Sequence, residues 1–84
     1  MYFSATGHVT RPGEIGRYLE EEKRVLVELR EQGVVREAFS PAAGHGVIGI
    51  LEGPSLQEVQ AQMARLPFVA HGLLTFEYTE VNPL

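Results

Sequence analysis

The order in which two hydrophobic periods alternate along the chain restricts its fold more tightly than any single motif. From Tyr2 to Val9 the spacing has a period of two. Phe3, Ala5 and Val9 fall on one face, with Ser4, Thr6 and His8 on the other, which reads as a first strand. Arg11-Pro12-Gly13 ends it. Pro12 has no backbone donor to lose in a first turn, so a helix is expected from Pro12 to Gln32, with Gly33 as its left-handed stop. A second strand is expected over Val34 to Ser40, a loop over Pro41 to Gly46 and a third strand over Val47 to Glu52. Ser55 and Glu58 have capping-box spacing and open a second helix. Its stripe is Leu56, Val59, Met63 and Leu66, and Pro67 is expected to close it. Leu73 to Val81 reads as a fourth strand, with Leu74, Phe76 and Tyr78 opposite Thr75, Glu77 and Thr79.

The resulting order, βαββαβ, predicts an α+β ferredoxin-like fold: a four-stranded antiparallel sheet with two helices on one face. Strand three is apolar on both faces through Val47, Ile48, Ile50 and Leu51. The face away from the helices therefore also needs cover, and a second copy closing sheet on sheet would make a dimeric α+β barrel. A chain of 84 residues has room for one domain, 1–84, and one modest core. Such a chain buries only about 60–65% of its unfolded surface, so oligomerisation is favoured.

Inside the first helix, Ile15, Leu19, Leu26 and Leu29 mark an apolar stripe, and Glu22 falls near its centre at roughly 100° per residue. An unpaired carboxylate on a core-facing stripe costs several kcal/mol (of order 2–7) unless it is bonded, protonated or hydrated. The same desolvation raises its pKa, the direction that suits a proton acceptor near neutral pH. The alternative is a slight roll of the helix that releases Glu22 to water beside Glu20 and Glu21. Glu20 and Arg24 have the spacing of an exposed helical pair.

Composition excludes several classes. The net charge is −4 with no basic cluster, which argues against nucleic acid or an anionic membrane surface as partner. Without cysteine there is no disulfide, thiolate metal site or cysteine nucleophile. No apolar run approaches ~18 residues and no signal-peptide pattern occurs at Met1–His8, so a cytoplasmic location is expected. His8, His45 and His71 share no short ligand motif, so no metal is expected. Gly44-His45-Gly46 is not a phosphate loop, because neither a lysine nor a helix follows.

His45, between two glycines, is a candidate catalytic acid or hydrogen-bond donor, the alternative being a plain loop histidine. His71, between helix two and strand four, is a second candidate, or a surface histidine at a helix end. Arg36 could grip a substrate carboxylate with its bidentate fork, or form a cross-strand or interface salt bridge. Lys23 is, with Arg36, a candidate cation for a substrate anion, although it lies about 100° round the helix from Glu22 and need not enter the same cleft. His8 sits on the polar face of strand one, toward a pocket or a dimer seam. Tyr78 is either core, with Phe76, or a substrate contact.

From Glu20 to Pro83, about three-quarters of the chain, the sequence resembles the muconolactone isomerase family. The resemblance lies in Glu22-Lys23 ahead of Gly33, then Arg36, the Ala42–His45 segment, Pro54-Ser55 and the Leu66-Pro67 closure. It implies a small ferredoxin-like chain in dimeric barrels or higher homo-oligomers. It also implies a cofactor-independent proton shift in a small unsaturated lactone acid of aromatic catabolism, with Glu22 as general base and His45 or His71 assisting. Two departures bear on the substrate. Val35, Phe39 and Ser40 stand where the family has aromatic and basic residues, and Thr6 stands where strand one would carry a lysine. Two other readings remain: a non-catalytic barrel binding a small apolar ligand, and a cofactor-free oxygenase on the same scaffold.

Overall fold

A computed structural model of the chain describes residues 1–43 and 46–84. Strands β1 (Tyr2–Val9), β2 (Val35–Phe39), β3 (Val47–Glu52) and β4 (Leu74–Val81) form one antiparallel sheet in the order β2-β3-β1-β4. Helices α1 (Leu19–Glu31), α2 (Leu56–Met63) and the short α3 (Pro67–Ala70) complete the ferredoxin-like α+β arrangement. The strand limits lie within a residue of those expected.

Alternation along β1 buries Phe3, Ala5 and Gly7 toward the helices. They share that side with Val35, Leu51 and Leu74, and the helices contribute Val25, Leu29, Val59, Met63 and Leu66 to the core. Register places Ser4 opposite Ile50 and Thr6 opposite Ile48 on the other face. There Ile48 stays 39% and Phe39 54% exposed, the apolar second face anticipated from strand three.

The first helix begins differently from its expected form. Pro12–Tyr18 is a 3₁₀ segment, and the α-helix starts only at Leu19. Three residues per turn give way to 3.6 at that point, so the inward stripe shifts. Tyr18 is half-buried with Glu22, Val25, Leu26 and Leu29, while Leu19 turns outward and is 42% exposed. Arg24 pairs with Glu21 and Glu28 rather than with Glu20.

The end of α1 and the start of α2 follow from sequence. Gly33, at φ 79°, donates its N–H to Arg30 O, and Val34 donates to Leu29 O. This is a Schellman stop, and Val34 packs back on the core beside Leu29. Ser55 Oγ accepts the Glu58 N–H at 3.2 Å and caps α2. Pro67, however, opens α3 instead of closing α2, which ends at Met63. The missing N–H cannot continue a helix, yet the fixed φ suits a first turn.

Candidate active site

Between the helix-side face of the sheet and the helices lies a cavity of about 280 Å³. Ala5, Val35, Ala38, Leu51, Leu74 and Phe76 are among the residues that form its floor, and Gly46 and Val47 stand at its side. Ile15 of the 3₁₀ segment, Leu26 of α1, Met63, Leu66 and Phe68 form the opposite wall with Glu22. Glu22 is the one ionisable side chain in the described lining.

The Glu22 carboxylate is half-buried, and its Oε1 accepts the backbone N–H of Phe68 at 2.9 Å. That donor is free because Phe68 lies in the first turn of α3, where no earlier carbonyl reaches it. Burial pushes the Glu22 carboxyl above its ordinary value of 4.5, and the Phe68 N–H pulls it part of the way back. Desolvation is the larger effect, so the group is a stronger base than a surface glutamate.

The 3₁₀ segment and α3 are tied together beside the cavity. The Tyr18 and His71 rings stack with centroids 4.3 Å apart and planes 17° from parallel. Arg11 Nη2 donates to His71 O at 3.0 Å, and Thr10 Oγ1 donates to Gly72 O at 2.6 Å. The Arg17 guanidinium lies over the Tyr18 ring at 5.4 Å.

The other sequence candidates do not gather round Glu22. His71 is exposed and engaged by Tyr18, outside the cavity lining. Lys23 and His8 are exposed, His8 on the open face of the sheet opposite Thr75. A bulge between Val35 and Glu37 leaves Arg36 at the surface, 3.5 Å from Glu52. The two line a separate polar depression of about 470 Å³ with Gln32, Glu58 and Gln62. Tyr78 is half-buried against the core, its ring 5.9 Å from Phe76, and burial raises its hydroxyl above the ordinary value of 10.0. His45 lies outside the described residues, as does Gly44 of its loop.

Sequence reasoning missed the Phe68 N–H and the Tyr18–His71 stack. Leu66-Pro67 carried a usable signal, since a proline after an extended residue opens a helix as readily as it ends one. Among the described residues no cluster of acidic and histidine side chains has the geometry to hold a metal ion. No helix among them is long and apolar enough to cross a membrane.

No protein-family model matches the sequence, and no curated protein matches it. Solved structures do. The chain superposes on 5-chloro-2-hydroxyhydroquinone dehydrochlorinase (TftG) from Burkholderia phenoliruptrix AC1100, solved in complex with 2,5-dihydroxybenzoquinone. The TM-score is 0.71 at 20% identity, covering 98% of this chain and 94% of that one. Protein Atu4242 from Agrobacterium tumefaciens matches with a TM-score of 0.50 at 17% identity, over 95% of this chain and 92% of that one. These likenesses are ones of fold, and the fold they share with this chain is the ferredoxin-like α+β arrangement.

Proposed function

We propose that this chain is a cofactor-independent enzyme of the muconolactone isomerase-like type. It moves a proton within a small unsaturated ring compound of aromatic breakdown, such as a lactone, and Glu22 is the base. The observation that carries the reading is the position of Glu22. A desolvated, reachable carboxylate stands in the wall of an otherwise apolar cavity, and its basicity is raised by that burial.

With Oε1 engaged by the Phe68 N–H, Oε2 takes the proton from the carbon next to the ring carbonyl. The electron pair left behind delocalises into that carbonyl as an enolate. Conjugation with the ring double bond makes this a dienolate. The neutral carboxyl returns the proton to its far end, so that the C=C shifts one position and both the neutral ring compound and the base are restored. One group thus removes and delivers the same proton. TftG, a dehydrochlorinase solved with a dihydroxyquinone on this fold, supports small-ring chemistry as the class.

The working form in this proposal is a homodimer closed through the open sheet face. The exposed Phe39 and Ile48 on that face support it. A second reading, a binding module for a small apolar ligand, is favoured by the apolar lining itself. The test is to follow lactone isomerisation by ultraviolet absorbance at neutral pH for wild type and Glu22→Gln. Turnover that collapses in the variant while circular dichroism is unchanged supports the enzyme. Turnover that survives the substitution removes Glu22 as base.

A further inference from the structure

We infer that the Glu22 cavity takes a substrate that is uncharged at neutral pH, a small apolar ring compound, and rejects its carboxylic-acid counterparts. This rests on the proposed role of Glu22 as base. It also departs from the lactone acid that the sequence resemblance implies.

Charge balance inside the apolar cavity decides between the two. With a neutral substrate, Glu22 brings one negative charge to the cavity. After proton transfer that charge sits on the enolate and Glu22 is neutral, so the total never exceeds one. An acid substrate would hold two negative charges in the same cavity throughout.

A second charge would need a cation, and five of the six arginines are engaged elsewhere, while Arg30 is exposed in the last turn of α1 and is not part of the cavity lining. Arg24 is held by Glu21 and Glu28, Arg65 by Glu28, Gln32 and Gln62, and Arg36 by Glu52. Arg11 is held by Glu14 and by the His71 carbonyl, and Arg17 covers Tyr18. Lys23 is exposed one step round α1. The described lining itself offers aliphatic and aromatic carbon apart from Glu22. A cationic ligand would fit the charge but would pair with Glu22 and remove its basicity. A neutral ring satisfies both the walls and the base.

Like unit charges about 5 Å apart at an effective dielectric near 20 repel enough for a preference on the order of a hundredfold.

The test titrates the full chain with an unreactive matched pair, benzamide and sodium benzoate, at pH 7.5 by isothermal titration calorimetry and NMR shift mapping. Benzamide is expected to bind about a hundredfold more tightly than benzoate and to shift cavity-lining resonances such as those of Leu26 and Phe68. In Glu22→Gln the gap is expected to shrink to within a few-fold. Benzoate binding as tightly as benzamide overturns the inference, and so does a failure of benzamide to bind the cavity. Neither probe reacts, so the two ideas fail separately. Equal binding with base-dependent turnover intact sinks only the charge rule. Turnover that survives Glu22→Gln alongside an intact benzamide preference sinks only the base.

Discussion

The Glu22 carboxylate and the Phe68 amide, forty-six positions apart in sequence, meet at 2.9 Å and join α1 to α3 across the cavity wall. This contact sets where the acid points. It also moderates the rise in proton affinity that burial imposes. Several expected outcomes follow from it and from the geometry around it.

Activity should depend on Glu22 being ionised. Its pKa is raised from 4.5, so the acid limb of the kcat/KM profile should bend above that value, with activity rising as pH rises. Glu22→Gln should lower kcat by about 10²–10⁴-fold and leave no residual limb of this origin. A profile flat through the acid range in wild type would count against the base.

Stability should run the other way. The folded protein holds the Glu22 proton more tightly than the unfolded chain does, so this group's contribution is fully present below 4.5 and is lost as pH rises through the folded value. Glu22→Gln keeps an acceptor for the Phe68 N–H and removes the buried charge. It is expected to raise stability at neutral pH by on the order of 1 kcal/mol and to flatten this part of the pH dependence. Thermal melts at pH 4 and pH 7.5 check it: equal melting shifts at both would refute the linkage.

Filling the cavity should block binding without unfolding the chain. Ala38 faces the cavity from β2 and is only partly buried, so Ala38→Leu should lower benzamide affinity by about tenfold or more. Its cost to folding is expected to stay within about 1–3 kcal/mol. Unchanged affinity in a folded variant would show that the ligand sits elsewhere.

Gly46 should tolerate no side chain. It has φ 146°, and a Cβ there would lie 2.4 Å from the Gly7 carbonyl oxygen. Gly46→Ala should cost about 1–3 kcal/mol, seen as a melting temperature lower by roughly 4–8 °C per kcal/mol. A melting temperature equal to wild type would mean that β1 and β3 do not approach this closely.

The proposed dimer has its own test. Ile48→Glu places a charge on the open sheet face, where the side chain is already 39% exposed, so folding of the single chain should change by no more than about 0.5 kcal/mol. Sedimentation velocity should report dimer for wild type and monomer for the variant. Equal sedimentation of the two would remove this face as the interface.

The strands were legible because alternation is a local property. Phe3 and Ala5 against Ser4 and Thr6 declare the two faces of β1, and the structure buries the first pair. Glu22 was legible as an anomaly for the same reason, an acid within a periodic apolar stripe. Leu19 was not, because its outward turn depends on the 3₁₀ pitch ahead of it, which hydrophobic spacing does not encode. Nor was the Phe68 amide, since a backbone donor carries no side-chain signal and its meeting with Glu22 is a product of the whole fold. Arg24 could be paired from spacing with any of several acids, and rotamer geometry selects Glu21 and Glu28.

The change of pitch at Leu19 has a consequence for how this chain can vary in length. One residue added or lost within 12–18 can be absorbed by a segment that buries no side chain completely, and α1 still starts in the same rotational phase. The same change between Glu22 and Leu29 would swing one end of the stripe about 100° against the other, turning either the acid or the core leucine to solvent. Insertions and deletions should therefore be found upstream of Leu19 among natural variants of this chain, and the interval from Glu22 to Leu29 should keep a fixed length.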